Sequence, residues 1–454
     1  MITPFYQKGP EMRSIHCFSV SVCMLGLLWS TGNVARATIG AVKVSSTTDA
    51  GSFRGRPYQR FDGRMEGTAP GGGYSVPVTL FLPANVSDAN GFAVVDVLNT
   101  VAVGKDTVLG PDPLPLARHH IGDDYLFGTG HAYVGVLWDK AAVEALGSGT
   151  IAQPGDGYTI LADAAELARA PRRHLALADE ARPLRVVAFG FSQTGAVLRD
   201  FYFSHHNSAG GTPAFDAAIV GGAGGGCFRV ATLSWDGCEG PLADGGKVIS
   251  VLAEGDAQMA GGWERGENPG YRFIEVAGVS HIPATINDFR GRGLPDQNPM
   301  GFEPVMRAAL ANVEAWLDGK EPPPSLALEL TDAAPTKLND IEIVPLAVDG
   351  DGNALGGLRL PHMHSVTPDG HPAGAPLGRY GGLASEHADN FFLALGGTFT
   401  PFPAEKLRSL YPDHAAYVSL VKSAADDLLA KRYILPEDQR AYVETAQRSA
   451  IGAP

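Results

Sequence analysis

From Val42 to about residue 320 the chain alternates short apolar runs with stretches of helical spacing. Residues 78–82, 92–98, 133–138, 184–189, 217–220, 248–252 and 271–276 are apolar runs, and most show no polar alternation. A strand exposed on one face alternates, whereas a strand covered on both faces has no polar side to show. These runs therefore predict a mostly parallel sheet between two helical layers. Residues 160–179 (broken at Pro171), 193–203 and 306–317 carry the 3.6-residue spacing of covering helices. Strand, helix, strand, helix is the order of an α/β doubly wound fold.

The three prolines of EPPPSLALEL, residues 321–330, end the last of these helices and mark a boundary. A strand pair is expected around VDGDGNALGG, then a loop-rich stretch to about residue 397, then helices over 415–431 and 436–447. Such a tail is too irregular for a core of its own. Residues 331–454 are expected to elaborate a single domain running from residue 38.

The first 37 residues differ from the rest. Lys8 and Arg13 precede an apolar stretch from Ser14 to Trp29, and Ala35-Arg36-Ala37 follows as a small-x-small cleavage pattern. That layout predicts a secretory signal peptide. A membrane anchor is the alternative, but about 16 apolar residues interrupted by His16 fall short of the roughly 20 a span needs. Cleavage would leave no stable anchor, and no lipobox precedes Cys17 or Cys23.

The composition, 44% hydrophobic and 19% charged over 454 residues, suits a large packed core. A formal charge of −14, falling to about −16 on loss of Lys8, Arg13, Arg36 and Glu11, excludes a nucleic-acid partner, since no clustered basic face is present. The same cleavage leaves two cysteines, Cys227 and Cys238, in GGGCFRVATLSWDGCEG. In an oxidising compartment such a pair predicts one disulfide closing a short loop, with two buried thiols as the alternative. Neither cysteine has a Cys or His at the spacing a zinc site needs.

The chemistry centres on LRVVAFGFSQTGAVLRDFYF, residues 184–203, where Ser192 falls between a strand and a helix. Serine there is either a helix N-cap or the nucleophile of a strand-turn-helix elbow. Gly190 supplies the small residue an elbow needs, and Gly195 stands where a capping box would place Glu or Gln. Against the usual G-x-S-x-G, Thr194 occupies the second glycine position. A triad needs an acid and then a histidine past later strands. Glu254 and Asp256 follow the run KVISVL, and His281 follows YRFIEVAG in the expected order.

GFSQTGAVLRDF, AEGDAQMAGG with YRFIEVAGVSHIP, VDGDGNALGGLRLPHM, and FTPFPAEKLRSLYPDHAAYVSLVKSAADDLLAKRYILPED together resemble the bacterial α/β-hydrolase domain-containing family, whose elbow is Gly-Phe-Ser-Gln-Ser/Thr-Gly. The resemblance runs from about residue 60 to 447. It implies the α/β-hydrolase fold, accounts for Thr194, and favours Asp256 as the acid with Glu254 as second choice. Where the family usually shows Asn-Arg-Gly, this chain has Asn99-Thr100-Val101.

The expected reaction is acyl transfer on a small-molecule ester without a cofactor. His281 takes the Ser192 proton, Asp256 orients the imidazole, and the backbone N–H groups of Gln193 and of Asn99 or Thr100 hold the oxyanion. A binding protein that kept the fold but lost turnover, and a peptidase or amidase with the same triad, are the competing readings. Arg199 is expected to pair inside the domain. The histidines at 119–120, 205–206 and 362/364 lack a carboxylate cluster at metal-ligand spacing. DGDGN lacks the glycine and glutamate of an EF-hand and reads as a tight turn. GGAGGG, residues 221–226, fits no dinucleotide register and is expected to pack backbone beside the site.

Overall fold

The computed structural model describes residues 39–105, 110–177, 182–209, 211–224, 226–238, 246–262, 265–266, 268–284, 298–338, 341–362, 374–385 and 390–453. The expected signal peptide, residues 1–37, and His364 lie outside them.

The strands up to residue 276 are β1 (Ile39–Phe53), β2 (Arg56–Ala69), β3 (Gly72–Pro83), β4 (Phe92–Val97), β5 (Ala132–Val136), β6 (Arg185–Phe191), β7 (Ala217–Gly221), β8 (Cys227–Arg229), β9 (Ser234–Asp236), β10 (Lys247–Ala253) and β11 (Tyr271–Val276), and two short strand pairs follow in the C-terminal segment, Thr336–Leu338 with Ile341–Ile343 and Gly378–Gly381 with Thr398–Pro401. Nine of them form one sheet in the order β1-β2-β3-β5-β4-β6-β7-β10-β11. From β5 to β11 all neighbours are parallel. The seven apolar runs of the sequence lie in β3 to β7, β10 and β11. Of these only β3 departs from the expectation, pairing antiparallel with both β2 and β5.

Strand β6 shows why these runs lack alternation. Val187, Phe189 and Phe191 enter one core, and Val186 and Ala188 enter the other. Helices α1 (Asp156–Arg169) and α2 (Gln193–Phe203) cover the second face. Helices α3 (Glu254–Ala260) and α4 (Glu303–Leu317) cover the first.

Strands β1 and β2 carry no comparable signal. On β2 only Tyr58, Phe61, Met65 and Ala69 are buried. Tyr58 faces one core and the other three, four residues apart, face the other. That sparse spacing hides the strand period. The sheet-edge strand β1 is mostly exposed, and its pairing slips three times through bulges. Edge strands of this kind are blunted by bulges and polar side chains rather than by burial.

Cys227 and Cys238 form a disulfide with 5.5 Å between Cα atoms, closing the β8–β9 hairpin. The hairpin packs on α2. Arg229 pairs with Asp200 at 2.6 Å, and Arg199, fully buried, donates to the Cys238 carbonyl at 3.1 Å.

The C-terminal segment departs from expectation around VDGDGNALGG. It is a turn with one bridge, Val348 to Ala354, in which Asp349 accepts from the N–H groups of Asp351 and Asn353. Two other parts of this segment extend the sheet past β11, through parallel bridges from Ile274 to Leu326 and from Val276 to Leu358. Helices α5 (His414–Ala430) and α6 (Pro436–Arg448) form the chain end. Ala425, Leu428 and Tyr442 join the main core, and Arg307 of α4 pairs with Asp438 of α6 at 3.0 Å.

Candidate active site

A doubly wound sheet opens a crevice where chain connections leave in opposite directions from neighbouring strands. Here that place is the C-terminal ends of β4 and β6, because the chain passes from β4 to β5 on one side while β6 lies on the other. Ser192 follows β6, and Asn99-Thr100 follows β4.

Ser192 has φ 60° and ψ −123°, and its side chain makes no capping bond to α2. A left-handed conformation is costly for a residue with a Cβ and persists only where the surroundings enforce it. Two close approaches enforce it here. A Cβ on Gly190 would lie 2.3 Å from the Thr194 carbonyl oxygen, and one on Gly195 would lie 2.4 Å from the Gly221 carbonyl oxygen. The second glycine is therefore required one place late. Thr194 fills the vacated position as a staple, its hydroxyl accepting from the Phe191 N–H at 3.1 Å.

Freed from capping, Ser192 Oγ lies 2.8 Å from His281 Nε2, and His281 Nδ1 lies 2.7 Å from Asp256 Oδ1. A carboxylate only accepts, so the ring hydrogen resides on Nδ1 and Nε2 is left to accept from the serine hydroxyl. Asp256 and His281 are 0% and 6% exposed, so little water competes for these bonds. Asp256 belongs to the first turn of α3, which starts directly after β10, and its Oδ2 accepts from the Ala253 N–H at 2.9 Å.

Glu254 faces elsewhere. Its carboxylate accepts from the N–H of Gly278 at 2.6 Å and of Gly382 at 3.0 Å. Burial pushes its carboxyl above the usual range, opposed by those two N–H groups. Asp256, not Glu254, lies against His281, and the bonds of Glu254 hold the loop that carries His281. That loop has further support. Asn298 Nδ2 donates to the Gly278 carbonyl at 2.6 Å, Ala277 N–H to Leu358 at 3.0 Å, and Ile282 N–H to Leu395 at 2.9 Å. Asn298 and these C-terminal contacts had no signal in the sequence, because they depend on how distant loops meet.

The glycine run behaves as backbone wall. A Cβ on Gly222 would lie 3.0 Å from His281 Cε1, and one on Gly224 would lie 2.1 Å from the Asp256 carbonyl oxygen.

The loop after β4 carries the two residues expected to offer a second oxyanion donor. The Asn99 N–H donates to the Leu114 carbonyl at 3.0 Å, and the Thr100 N–H donates to Gln193 Oε1 at 2.9 Å. The Thr100 hydroxyl lies 2.8 Å from Asp139 Oδ2. The Asn99 N–H is locked in a backbone pair, while the Thr100 N–H is met by a side chain. Among the described residues no cluster of His, Cys, Asp and Glu could hold a metal ion, and no helix is long and apolar enough to cross a membrane. A cavity of about 740 Å³ lies beyond Glu254, between Gln258, Lys337, Arg379 and Tyr380, and neither Ser192 nor His281 borders it.

No curated protein matches the chain. Among solved structures it is similar to the rice cell wall degrading esterase LipA from Xanthomonas oryzae, with 15% identity and a TM-score of 0.28 over 41% of this chain and 50% of that one. It is also similar to a glucuronoyl esterase from Solibacter usitatus, with 14% identity and a TM-score of 0.31 over 49% and 70%. A glucuronoyl esterase from Teredinibacter turnerae T7901 gives 13% identity and a TM-score of 0.29 over 54% and 75%. The chain thus spans half the length of LipA. A family model described as an alpha/beta hydrolase domain matches residues 64–444, and with most of its length so matched the chain belongs to that family.

Proposed function

We propose that this protein is a serine hydrolase that cleaves a small-molecule carboxylic ester through an acyl-enzyme. The observation that carries the reading is the unbroken chain from Ser192 Oγ to His281 Nε2 and from His281 Nδ1 to Asp256 Oδ1, starting at a serine held in a left-handed conformation.

In this mechanism Ser192 attacks the ester carbonyl while its proton passes to His281 Nε2, and Asp256 stabilises the imidazolium that results. The Ser192–carbon bond forms, the alcohol leaves with the proton returned by His281, and water repeats the sequence to release the acid. The backbone N–H of Gln193, at the start of α2, is one oxyanion donor. The second is the Thr100 N–H, which becomes available once the Gln193 carboxamide swings aside. Its carboxamide oxygen marks where an acceptor meets that donor in the free enzyme. Each donor contributes about 3 to 4 kcal/mol to the transition state. The chemistry calls on no cofactor, since nucleophile, base and partner all come from the chain. The signal-peptide pattern and the Cys227–Cys238 disulfide support a secreted or periplasmic location.

Hydrolysis of a p-nitrophenyl ester panel by wild type and Ser192→Ala, with fluorophosphonate labelling, tests the reading. Ester turnover and labelling that both vanish in Ser192→Ala are expected. Cleavage of anilides or peptides in preference to esters would indicate an amidase. A wild type that neither turns over nor labels would be a binding protein.

A further inference from the structure

The pair His119-His120 has no part in the mechanism above, yet His120 lies close to it. The chain returns from the loop after β4 through the Asn99–Leu114 bridge and forms a π-helical turn over Arg118–Gly122. Such turns arise where one residue more than an α-helix allows is accommodated, and they are frequent at functional sites. This one delivers His120 into the interior at 0% exposure.

There the imidazole packs on Phe191, the residue immediately before Ser192, with ring centroids 4.1 Å apart. Phe191 in turn contacts His281 at 5.2 Å, and Phe302 closes the cluster 5.8 Å from His120. Every one of these ring neighbours except His119 and His281 is apolar. Among the described residues neither Nδ1 nor Nε2 of His120 has a hydrogen-bond partner. Leaving one buried polar atom unpaired is costly, and here both polar atoms of one ring are unpaired beside a nucleophile. Phenylalanine would fill the same space among the same aromatic rings without that cost. A residue that breaks a local packing rule next to a reactive centre points to function. Burial, with His119 and His281 nearby, holds the ring well below the usual histidine range and so uncharged. A neutral imidazole offers one donor and one acceptor, which suits a hydroxyl and not a carboxylate.

We propose that His120 is a specificity-determining residue that hydrogen-bonds an uncharged hydroxyl group of the ester held at Ser192. The inference rests on the esterase reading and names its substrate class: esters bearing a free hydroxyl on the acyl or the alcohol part.

The test compares matched esters with and without the hydroxyl, ethyl 3-hydroxybutyrate against ethyl butyrate and 2-hydroxyethyl butyrate against propyl butyrate. Wild type is expected to prefer one hydroxylated member by about tenfold in kcat/KM, the scale of one hydrogen bond. In His120→Phe that ratio falls to about one while the melting temperature holds or rises. His120→Gln, which keeps a donor and an acceptor, restores part of the ratio. An equal ratio in wild type and His120→Phe overturns the inference, and so does a preference lost only together with the fold in both variants. Absence of all ester turnover and of Ser192 labelling would instead overturn the esterase reading, and this inference with it.

Discussion

Asn99 Nδ2 donates to the Phe191 carbonyl at 3.0 Å, and Asn99 Oδ1 accepts from the Val101 N–H at 3.0 Å. One buried side chain thus fixes the spacing between the turn that carries Ser192 and the loop that carries Thr100. Asn99 acts through its carboxamide, and its backbone N–H is committed elsewhere.

Asn99→Ala takes one of two donors from the Phe191 carbonyl, to which the Thr194 hydroxyl still donates at 3.1 Å, and leaves the half-buried Val101 N–H without its partner, so a loss of about 1 kcal/mol in stability is expected. It also lets the Thr100 loop drift relative to Ser192. A displacement of the order of 1 Å at such a site costs up to about 100-fold in rate. Denaturant melts and kcat on a p-nitrophenyl ester check both, and full kcat would refute the coupling.

Asp256 and Glu254 are two residues apart and have different roles. Asp256→Asn is expected to lower kcat by about 10⁴-fold, because the imidazole loses the partner that fixes its tautomer. Glu254→Gln keeps a carboxamide oxygen for Gly278 or Gly382 but presents an N–H to the other, so it loosens the His281 loop. A far smaller loss in kcat and a lower melting temperature are expected from it. Equal losses in kcat would reverse the assignment.

Asp96, fully buried in β4, accepts from Tyr133 and the Ala117 N–H through Oδ2, while Oδ1 has no partner among the described residues. Burial pushes its carboxyl from 3.8 up to about 7, with those two bonds opposing. A raised carboxyl binds its proton more tightly folded than unfolded, so stability declines as pH rises from 3.8 towards 7. Asp96→Asn places an NH₂ where the proton sits and removes that decline. Relative to wild type it is expected to gain up to about 4 kcal/mol between pH 4 and pH 8. Urea midpoints at the two pH values decide, and a wild type that gains on Asp96→Asn across this range contradicts the assignment.

The Cys227–Cys238 loop spans 11 residues in sequence. In the chain-entropy account its closure contributes about 3 kcal/mol. Because Arg199 and Arg229 tie the hairpin to α2, the paired change Cys227→Ala with Cys238→Ala is expected to lower the denaturation midpoint and to expose α2 in hydrogen exchange. A midpoint unaffected by reductant would show the bridge to be dispensable.

The parallel sheet was legible because strands buried on both faces, such as Val186 to Phe191, must be continuously apolar. Ser192, its glycines and the order of its partners were legible because an elbow requires small residues at fixed offsets. Strands β1 and β2 were hidden by sparse burial and bulges. Which of Asp256 and Glu254 meets His281 turns on the way two side chains of one helical turn face; the resemblance, not the spacing, favoured Asp256, the one whose carboxylate lies 2.7 Å from the ring. The pairing of Thr100 with Gln193 was illegible because it depends on a side-chain rotamer.

The contacts from Leu358 and Leu395 to the His281 loop bear on how small an active protein can be made. A chain cut near Pro322 would keep all nine sheet strands and every residue of the relay, yet the loop carrying His281 would keep only its ties to Glu254 and Asn298 and lose those to Leu358 and Leu395. The far edge of β11 would also be left open to pairing with other chains. Minimisation therefore has to start inside the tail, at turns that touch neither leucine, rather than by discarding it.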